Sequence, residues 1–407
     1  MSKLDRLIKE FCPDGVEYKA FFEIADFIRG VTYSKELEVN SDNGTKLLRA
    51  NNITLDTNKL NFDDVKIIDR SVKIKSNQWL KQGDILICAG SGSKDHIGKT
   101  TYIFTDMDYT FGGFMAVIRT KGKLHSRLLF HVLTSDRFLN YLKTALNVST
   151  INNLNTGIMK GFMIPLPPLP VQEEIVRILD SFTMLQTELQ TELQARIAQY
   201  EFYRDFLLNS DKPLDSGLEN LTDNRQQIRW TTLNEIAEIG TGSSNTNEGL
   251  SEGAYPFFVR SLEVRYKDEY EFDETAIITS GDGVGVGKIF HFVQGKYALH
   301  QRAYRIKIID NTVDARFFYY YMKSNFCDYI RMTAVHASVT SIRKPMLDKY
   351  PVPVPPLAEQ KRIVAILDKF SELTSDLTDG LPAEIEARRK QYEYYRNKLL
   401  DFKEIVP

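Results

Sequence analysis

Apolar positions along this chain follow two alternating regimes. Short runs rich in β-branched and aromatic residues (84–88, 115–118, 275–279 and 304–308), separated by glycine- and asparagine-containing turns, predict strands. Helical spacing follows them at 126–143 and 314–331. Two longer stripes then place an apolar or long side chain every three or four residues. The first runs through Ile175, Ile178 or Leu179, Phe182, Leu185, Leu189, Leu193, Arg196, Tyr200, Tyr203 and Leu207, and the second through Ile385, Arg388, Tyr392, Tyr395 and Leu399. Pro168 and Pro356 forbid helix just upstream, so each long helix begins after a proline. Three-four spacing of this length predicts a coiled-coil seam made of Leu189, Leu193, Tyr200, Tyr203 and Leu207 on one helix and Ile385, Tyr392, Tyr395 and Leu399 on the other.

The two regimes alternate because the chain is written twice. Ile164 to Phe182 (IPLPPLPVQEEIVRILDSF) recurs as Val352 to Phe370 (VPVPPLAEQKRIVAILDKF) at an offset of 188, and Glu192 to Leu208 (ELQARIAQYEFYRDFLL) recurs as Glu384 to Leu400 (EIEARRKQYEYYRNKLL) at an offset of 192. Fainter echoes join the upstream regions. Phe22 to Asp26 parallels Asn234 to Glu238, Arg49 falls near Arg260, Gly98-Lys99 matches Gly287-Lys288, and Tyr109 matches Tyr297. The expected organisation is a mixed α/β domain over 1–164 with a short N-terminal helix, a helical region over 165–210, a second mixed domain over 211–350 and a second helical region over 351–407. Parallel helices would oblige the second domain to carry the chain back about 50 Å at ~1.5 Å per residue, whereas antiparallel helices need only adjacent entry and exit points. The fold class expected is therefore α+β, two mixed domains separated by two long helices in an antiparallel coiled coil, with a pseudo-twofold internal repeat.

Composition narrows the chemistry. The chain has 407 residues, 43% hydrophobic and 26% charged, with 52 basic against 54 acidic side chains. The charge is uneven: residues 1–164 hold 23 basic against 18 acidic, and 165–210 hold 3 against 7. Cys12, Cys88 and Cys327 form no metal-ligand spacing, which suits a reducing cytoplasm. No apolar run approaches a membrane span, so no membrane association is expected. The segment from Gly90 to Thr100 resembles a phosphate-binding loop but carries Ser93 where the first glycine belongs, and its partner carries Asp282 there, so both read as turns. The six histidines lack metal-binding spacing, His125 and His131 read as ordinary surface or core residues, and no nucleophile elbow is present. No catalytic residue, metal or cofactor is expected.

The paired P-[LV]-P-P-L…Q…I-V-x-I-L-D segments (165–180 and 353–368) and A-R-x-x-Q-Y-E-[FY]-Y-R…L-L segments (195–208 and 387–400) resemble, over the whole chain, the specificity subunit of type I restriction-modification enzymes. The resemblance implies a non-catalytic subunit. Its partners would be double-stranded DNA with a bipartite target, two methyltransferase subunits and, through the complex, restriction-translocase subunits. Each mixed domain would read half the target and the coiled coil would set the spacer. A tandem tetrapeptide, Thr187 to Gln190 and Thr191 to Gln194, then reads as a ruler unit of ~6 Å of helix, near two base pairs. The second helical region is four residues longer between Phe370 and Glu384, with Gly380 and Pro382 interrupting the helix before Ala383. By side-chain type, Arg29, Thr32, Tyr33, Arg49, Asn51 and Asn52 in the first domain and Ser243, Ser244, Arg260 and Arg302 in the second are the candidate DNA contacts, with Lys94, Lys99 and Lys288 beside glycine turns as phosphate contacts. The alternative is a scaffold that displays two binding domains on a coiled coil without touching DNA.

Overall fold

A computed structural model describes residues 2–39, 43–55, 57–93, 96–147, 153–208, 228–333, 341–375 and 380–405. It divides into two units, Met1–Leu189 with Ile385–Pro407 and Gln190–Glu384. In the first unit the elements are α1 (Lys3–Phe11), β1 (Tyr18–Ala20), α2 (Phe21–Ile24), β2 (Ala25–Arg29), β3 (Thr45–Leu48), β4 (Lys66–Ile68), β5 (Ile85–Cys88), β6 (Thr100–Tyr102), β7 (Tyr109–Phe111), β8 (Met115–Thr120), α3 (Ser126–Leu133), α4 (Asp136–Asn147), α5 (Thr156–Lys160) and β9 (Met163–Pro165). Helix α6 (Leu169–Leu208) is continuous over 40 residues, and the unit boundary falls within it. The second unit contains β10 (Arg229–Thr232), α7 (Leu233–Ile236), β11 (Ala237–Thr241), β12 (Tyr255–Phe258), β13 (Arg265–Lys267), β14 (Phe272–Ser280), β15 (Phe290–Leu299), β16 (Ala303–Ile308), α8 (Ala315–Thr333), α9 (Lys344–Asp348), β17 (Pro351–Val354) and α10 (Leu357–Ser375). Helix α11 (Leu381–Leu399) lies almost wholly in the first unit.

The expected strands and the interrupted C-terminal helix are all present, and one expected helix is divided. The stretch 126–143 is two helices because the Thr134 and Ser135 hydroxyls donate to the Phe130 and His131 and to the Val132 carbonyl oxygens respectively, closing the first helix early. At the corresponding place α8 carries Lys323 and Ser324, whose hydroxyl donates to Asp205 instead, and the helix runs on.

Both units pair the strand that enters them with the strand that leaves. β1 is antiparallel to β9 and β10 is antiparallel to β17. Unit 1 then builds a four-stranded sheet β2-β8-β5-β6 and a three-stranded sheet β4-β3-β7, while unit 2 builds one six-stranded sheet β11-β16-β14-β15-β12-β13. The order is the same, with β6 and β7 standing where the single strand β15 stands. Buried Phe21, Leu129, Phe138 and Ile175 make the helix-to-sheet core of unit 1, and Leu233, Phe318, Phe326 and Leu367 that of unit 2.

One hydrogen-bonded cassette fastens the long helix to each unit. Gln172 accepts from the His125 amide and donates to the Lys123 and Pro167 carbonyls, and Gln360 accepts from the Asp314 amide and donates to the Thr312 and Pro355 carbonyls. Both glutamines are buried, so each side chain satisfies backbone groups left over at a helix start. About two turns on, Asp180 meets Arg127 at 2.7 Å and Asp368 meets Arg316 at 2.9 Å. The aromatic seam is also doubled: Phe182 stacks on Tyr395 at 5.4 Å in unit 1, and Phe370 stacks on Tyr203 at 5.6 Å in unit 2. No described helix is long and apolar enough to cross a membrane.

Candidate nucleic-acid interface

In unit 1 the ends of β3, β7 and β2 converge. Val31 bridges Gly112 in parallel and the Gly112 amide donates to the Leu48 carbonyl, so the residues following three strands share one rim. Here Gly30 has no room for a side chain, because a Cβ would overlap the Phe111 and Gly112 carbonyls. A cleft of about 850 Å³ opens on this rim, lined among others by Thr32, Tyr33, Arg49, Asn51 and Phe114. The structure thus gathers four of the candidate residues around one cavity. Arg49 Nη2 lies 2.8 Å from Asp64 Oδ2, and the Asn51 amide donates to the same oxygen at 3.0 Å. Tyr33 donates to Glu38, which also meets Lys66 at 3.0 Å; these two contacts hold the Glu38 carboxyl below its usual range. Phe114, 76% exposed, stands at the same cleft.

Other candidates in this unit are spent internally. Asn52 is buried, its amide donates to the Asn61 and Asp64 carbonyls and its oxygen accepts from the Arg49 amide, so it shapes the loop that presents Arg49. Arg29 donates to Asn153 and the Leu154 carbonyl. Lys99 donates to the Ala50 carbonyl, and burial draws its ammonium pKa down. Lys94 lies outside the described residues.

Unit 2 repeats the rim with different side chains. Ser244 bridges His300 in parallel, and the His300 amide donates to the Phe258 carbonyl. Matching these ladders sets Leu48 against Phe258, so Arg49 corresponds to Val259 and Arg260 stands one residue further on. Asp282 receives both candidate arginines: Arg260 Nη1 at 2.5 Å on Oδ1 and Arg302 Nη1 at 3.1 Å on Oδ2. Ser244 is buried and donates to Glu271, which also accepts the Ser243 amide, so this pair serves its own loop. Lys288 is exposed on the turn from Gly281 to Lys288, where Gly283 and Gly287 adopt φ of +81° and +71°; the turn wraps no phosphate-loop helix start.

A family profile described as the type I restriction modification DNA specificity domain matches residues 13–199 and again 228–387. The chain belongs to this family. It is 34% identical over 270 residues to the Escherichia coli type I restriction enzyme EcoR124I/EcoR124II specificity subunit, a match covering 60% of this chain and 63% of that relative. It is 31% identical over 318 residues to a putative type I restriction enzyme specificity subunit of Haemophilus influenzae, covering 70% and 74%. The S subunit of a type I restriction-modification system from M. genitalium shares the fold at a TM-score of 0.57 and 15% identity, over 97% of this chain and 98% of that one.

The structure also brings in residues that the sequence did not single out for this role. Asp64 and Asp282, the carboxylates that gather the candidate arginines, carry no sequence signal because a lone aspartate in a loop is ordinary. Of the expected seam residues, Tyr392 is buried, Leu189, Leu193, Tyr200, Tyr203, Leu207, Ile385 and Leu399 are half-buried, and Tyr395 is 36% exposed although stacked on Phe182. His131 is a core residue. Its Nε2 lies 2.9 Å from Asp180 and its Nδ1 2.9 Å from the Tyr392 hydroxyl, while burial lowers its pKa to about 4. Among the described residues no cluster of His, Cys, Asp and Glu is arranged to hold a metal.

Proposed function

We propose that this chain is the DNA-reading subunit of a type I restriction-modification complex, that each unit reads one half of a bipartite duplex target, and that the subunit itself carries out no chemistry. The observation that supports this reading best is the repeated rim. In each unit strand ends of the same topology present arginines beside a carboxylate, on a scaffold fastened to a long helix by the same glutamine cassette. Arginine is the side chain best matched to a guanine edge, while Thr32, Asn51 and Lys288 suit phosphates and other base edges. In this reading residues 1–164 and 211–350 are the two readers. Residues 165–210 and 351–407 are the two spacers, which pair as an antiparallel coiled coil, dock two methyltransferase subunits and, through them, restriction-translocase subunits in the cytoplasm. The near-zero charge, 52 basic against 54 acidic, leaves the isolated chain little attraction for phosphates, so the partners supply much of the affinity.

Methylated-base sequencing of host DNA with and without the chain tests the assignment. A bipartite motif that vanishes with the chain supports it, and an unchanged methylome rejects it. A second arm removes Thr187 to Gln190, one tetrapeptide unit of α6. The expected result is the same two half-sites at altered spacing, and unaltered spacing with intact methylation rejects the ruler role of the long helix.

A further inference from the structure

Asp282 is placed more firmly than a chance surface partner. The Gly281 amide before it donates to the Arg302 carbonyl at 2.9 Å, the Ile342 amide donates to the Gly281 carbonyl at 2.8 Å, and the Ser280 hydroxyl donates to the Asp282 carbonyl at 2.8 Å. The arginines are anchored too. Arg302 donates its amide to His300 Nδ1 at 2.9 Å, and Arg260 follows the β12 strand end. Yet the two arginine side chains stay open to solvent, 36% exposed for Arg260 and 63% for Arg302 against 24% for Asp282. Exposed ion pairs contribute little to stability, so this triad is poorly explained as a brace.

Its geometry fits recognition instead. Each guanidinium spends Nη1 on the carboxylate, which leaves Nη2 and Nε side by side as a donor fork, the arrangement that matches guanine O6 and N7. Two forks on the two oxygens of one carboxylate are held within the reach of neighbouring base pairs, ~3.4 Å apart. The carboxylate also repels phosphates, so it disfavours the non-specific use of both arginines. The two guanidiniums in turn keep the Asp282 carboxyl ionised by lowering its pKa against the opposing effect of burial.

We propose that Asp282 is a positioning residue that sets the sequence read by unit 2: it aims Arg260 and Arg302 at the acceptor edges of two neighbouring base pairs, at least one of them a guanine, and keeps both off the DNA backbone. This rests on the DNA-reading role proposed above.

The test uses the full complex with its methyltransferase subunits and compares Asp282→Asn, Arg302→Ala and Arg260→Ala by methylated-base sequencing and by gel shift on target and non-target duplexes. Arg302→Ala identifies the half-site that unit 2 reads. Asp282→Asn is expected to relax that same half-site, lowering its guanine preference about tenfold, while the other half stays intact and serves as the control for folding. Non-target duplex is expected to bind about fivefold more tightly, because one repelling charge is gone. Asp282→Glu, which keeps the charge, restores part of the preference. If Arg302→Ala relaxes a half-site and Asp282→Asn does not, the positioning role is overturned while the DNA-reading role stands. It is equally overturned if an Asp282→Asn complex that assembles and melts like the parent loses methylation altogether, since a positioning residue relaxes a half-site rather than abolishing binding. If all three variants leave both halves unchanged, this rim does not read DNA, and both proposals fail at unit 2.

Discussion

The two units share a strand order but not a sheet. In unit 2 the strand β15 passes without a break from its partner β14 to its partner β12, and Gly295, at φ +96°, sits within it. In unit 1 the same path is cut into β6 and β7. The ladders align Tyr102 with Phe292 and Tyr109 with Tyr297, so unit 1 carries six residues between the matched positions where unit 2 carries four. Two extra residues cannot be held in register, and they leave the sheet as a loop. The sheet of unit 1 is thereby split, whereas the Gln172 and Gln360 cassettes are identical in pattern. The rims also differ, with Arg49 matched to Val259, while the cassettes that fasten the helices keep the same side chains.

That contrast has a measurable form in the two ion pairs behind the cassettes. Asp180 serves Arg127, whose side chain is 9% exposed, and the wholly buried His131; Asp368 serves Arg316, 34% exposed, and the Tyr320 hydroxyl. Removing a carboxylate from a buried cation is costly, so Asp180→Ala is expected to destabilise unit 1 by about 3–5 kcal/mol. Asp368→Ala should cost unit 2 about half as much, because water can solvate Arg316. Urea melts of both variants check this, and equal losses would show that the two attachments are energetically alike.

The next largest difference is acid sensitivity. Burial holds His131 near a pKa of about 4, with Asp180 favouring its protonation and Arg127 and Arg396 nearby opposing it, whereas the unfolded chain takes up that proton near pH 6.5. Stability from this site is therefore fully present above pH 6.5 and is lost as the pH falls toward 4, in total on the order of 3 kcal/mol. Tyr320 occupies the corresponding place in unit 2 with its pKa driven upward by burial and Asp368, so it carries no such dependence. Unit 1 is expected to melt first at pH 5, and His131→Tyr should narrow the gap. Identical pH profiles for parent and variant would rule out His131 as the cause.

At the rims, Arg49→Ala and Arg260→Ala are each expected to cost the assembled enzyme about 1–3 kcal/mol of specific binding, each confined to one half-site; unaltered target affinity for both would reject them. This is also where legibility ended. The repeat, the long central helix, the broken C-terminal helix and four of the strands, β5, β8, β14 and β16, could be read in advance because periodicity and proline placement are local signals. Residues such as Asn52, Ser244 and Arg29 could not be sorted from Arg49 or Arg302 that way. Whether an amide or hydroxyl points outward or closes its own loop is decided by partners such as Asn61, Glu271 and Asn153, which only the folded chain brings close. The Arg49–Arg260 echo was likewise one residue out of register, because the loops before the two rims differ and only the strand ladders fix the match.

The smallest effect concerns the doubled aromatic seam. Phe182 stacks on Tyr395 alone among the described rings, at an interplanar angle of 17°, while Phe370 meets two rings, Tyr203 at 5.6 Å and Tyr200 at 6.4 Å. A ring pair adds roughly 0.5–1.5 kcal/mol beyond the area it covers. Replacing either phenylalanine by leucine keeps most of the apolar area and removes the stacking, so Phe370→Leu is expected to cost about 1 kcal/mol more than Phe182→Leu. Thermal melts of the two variants read the difference directly. A larger loss at Phe182 would mean that the partly exposed Tyr395 contact carries more of the seam than its geometry indicates, and that the two ends of the repeat have diverged in the helices as well as at the rims.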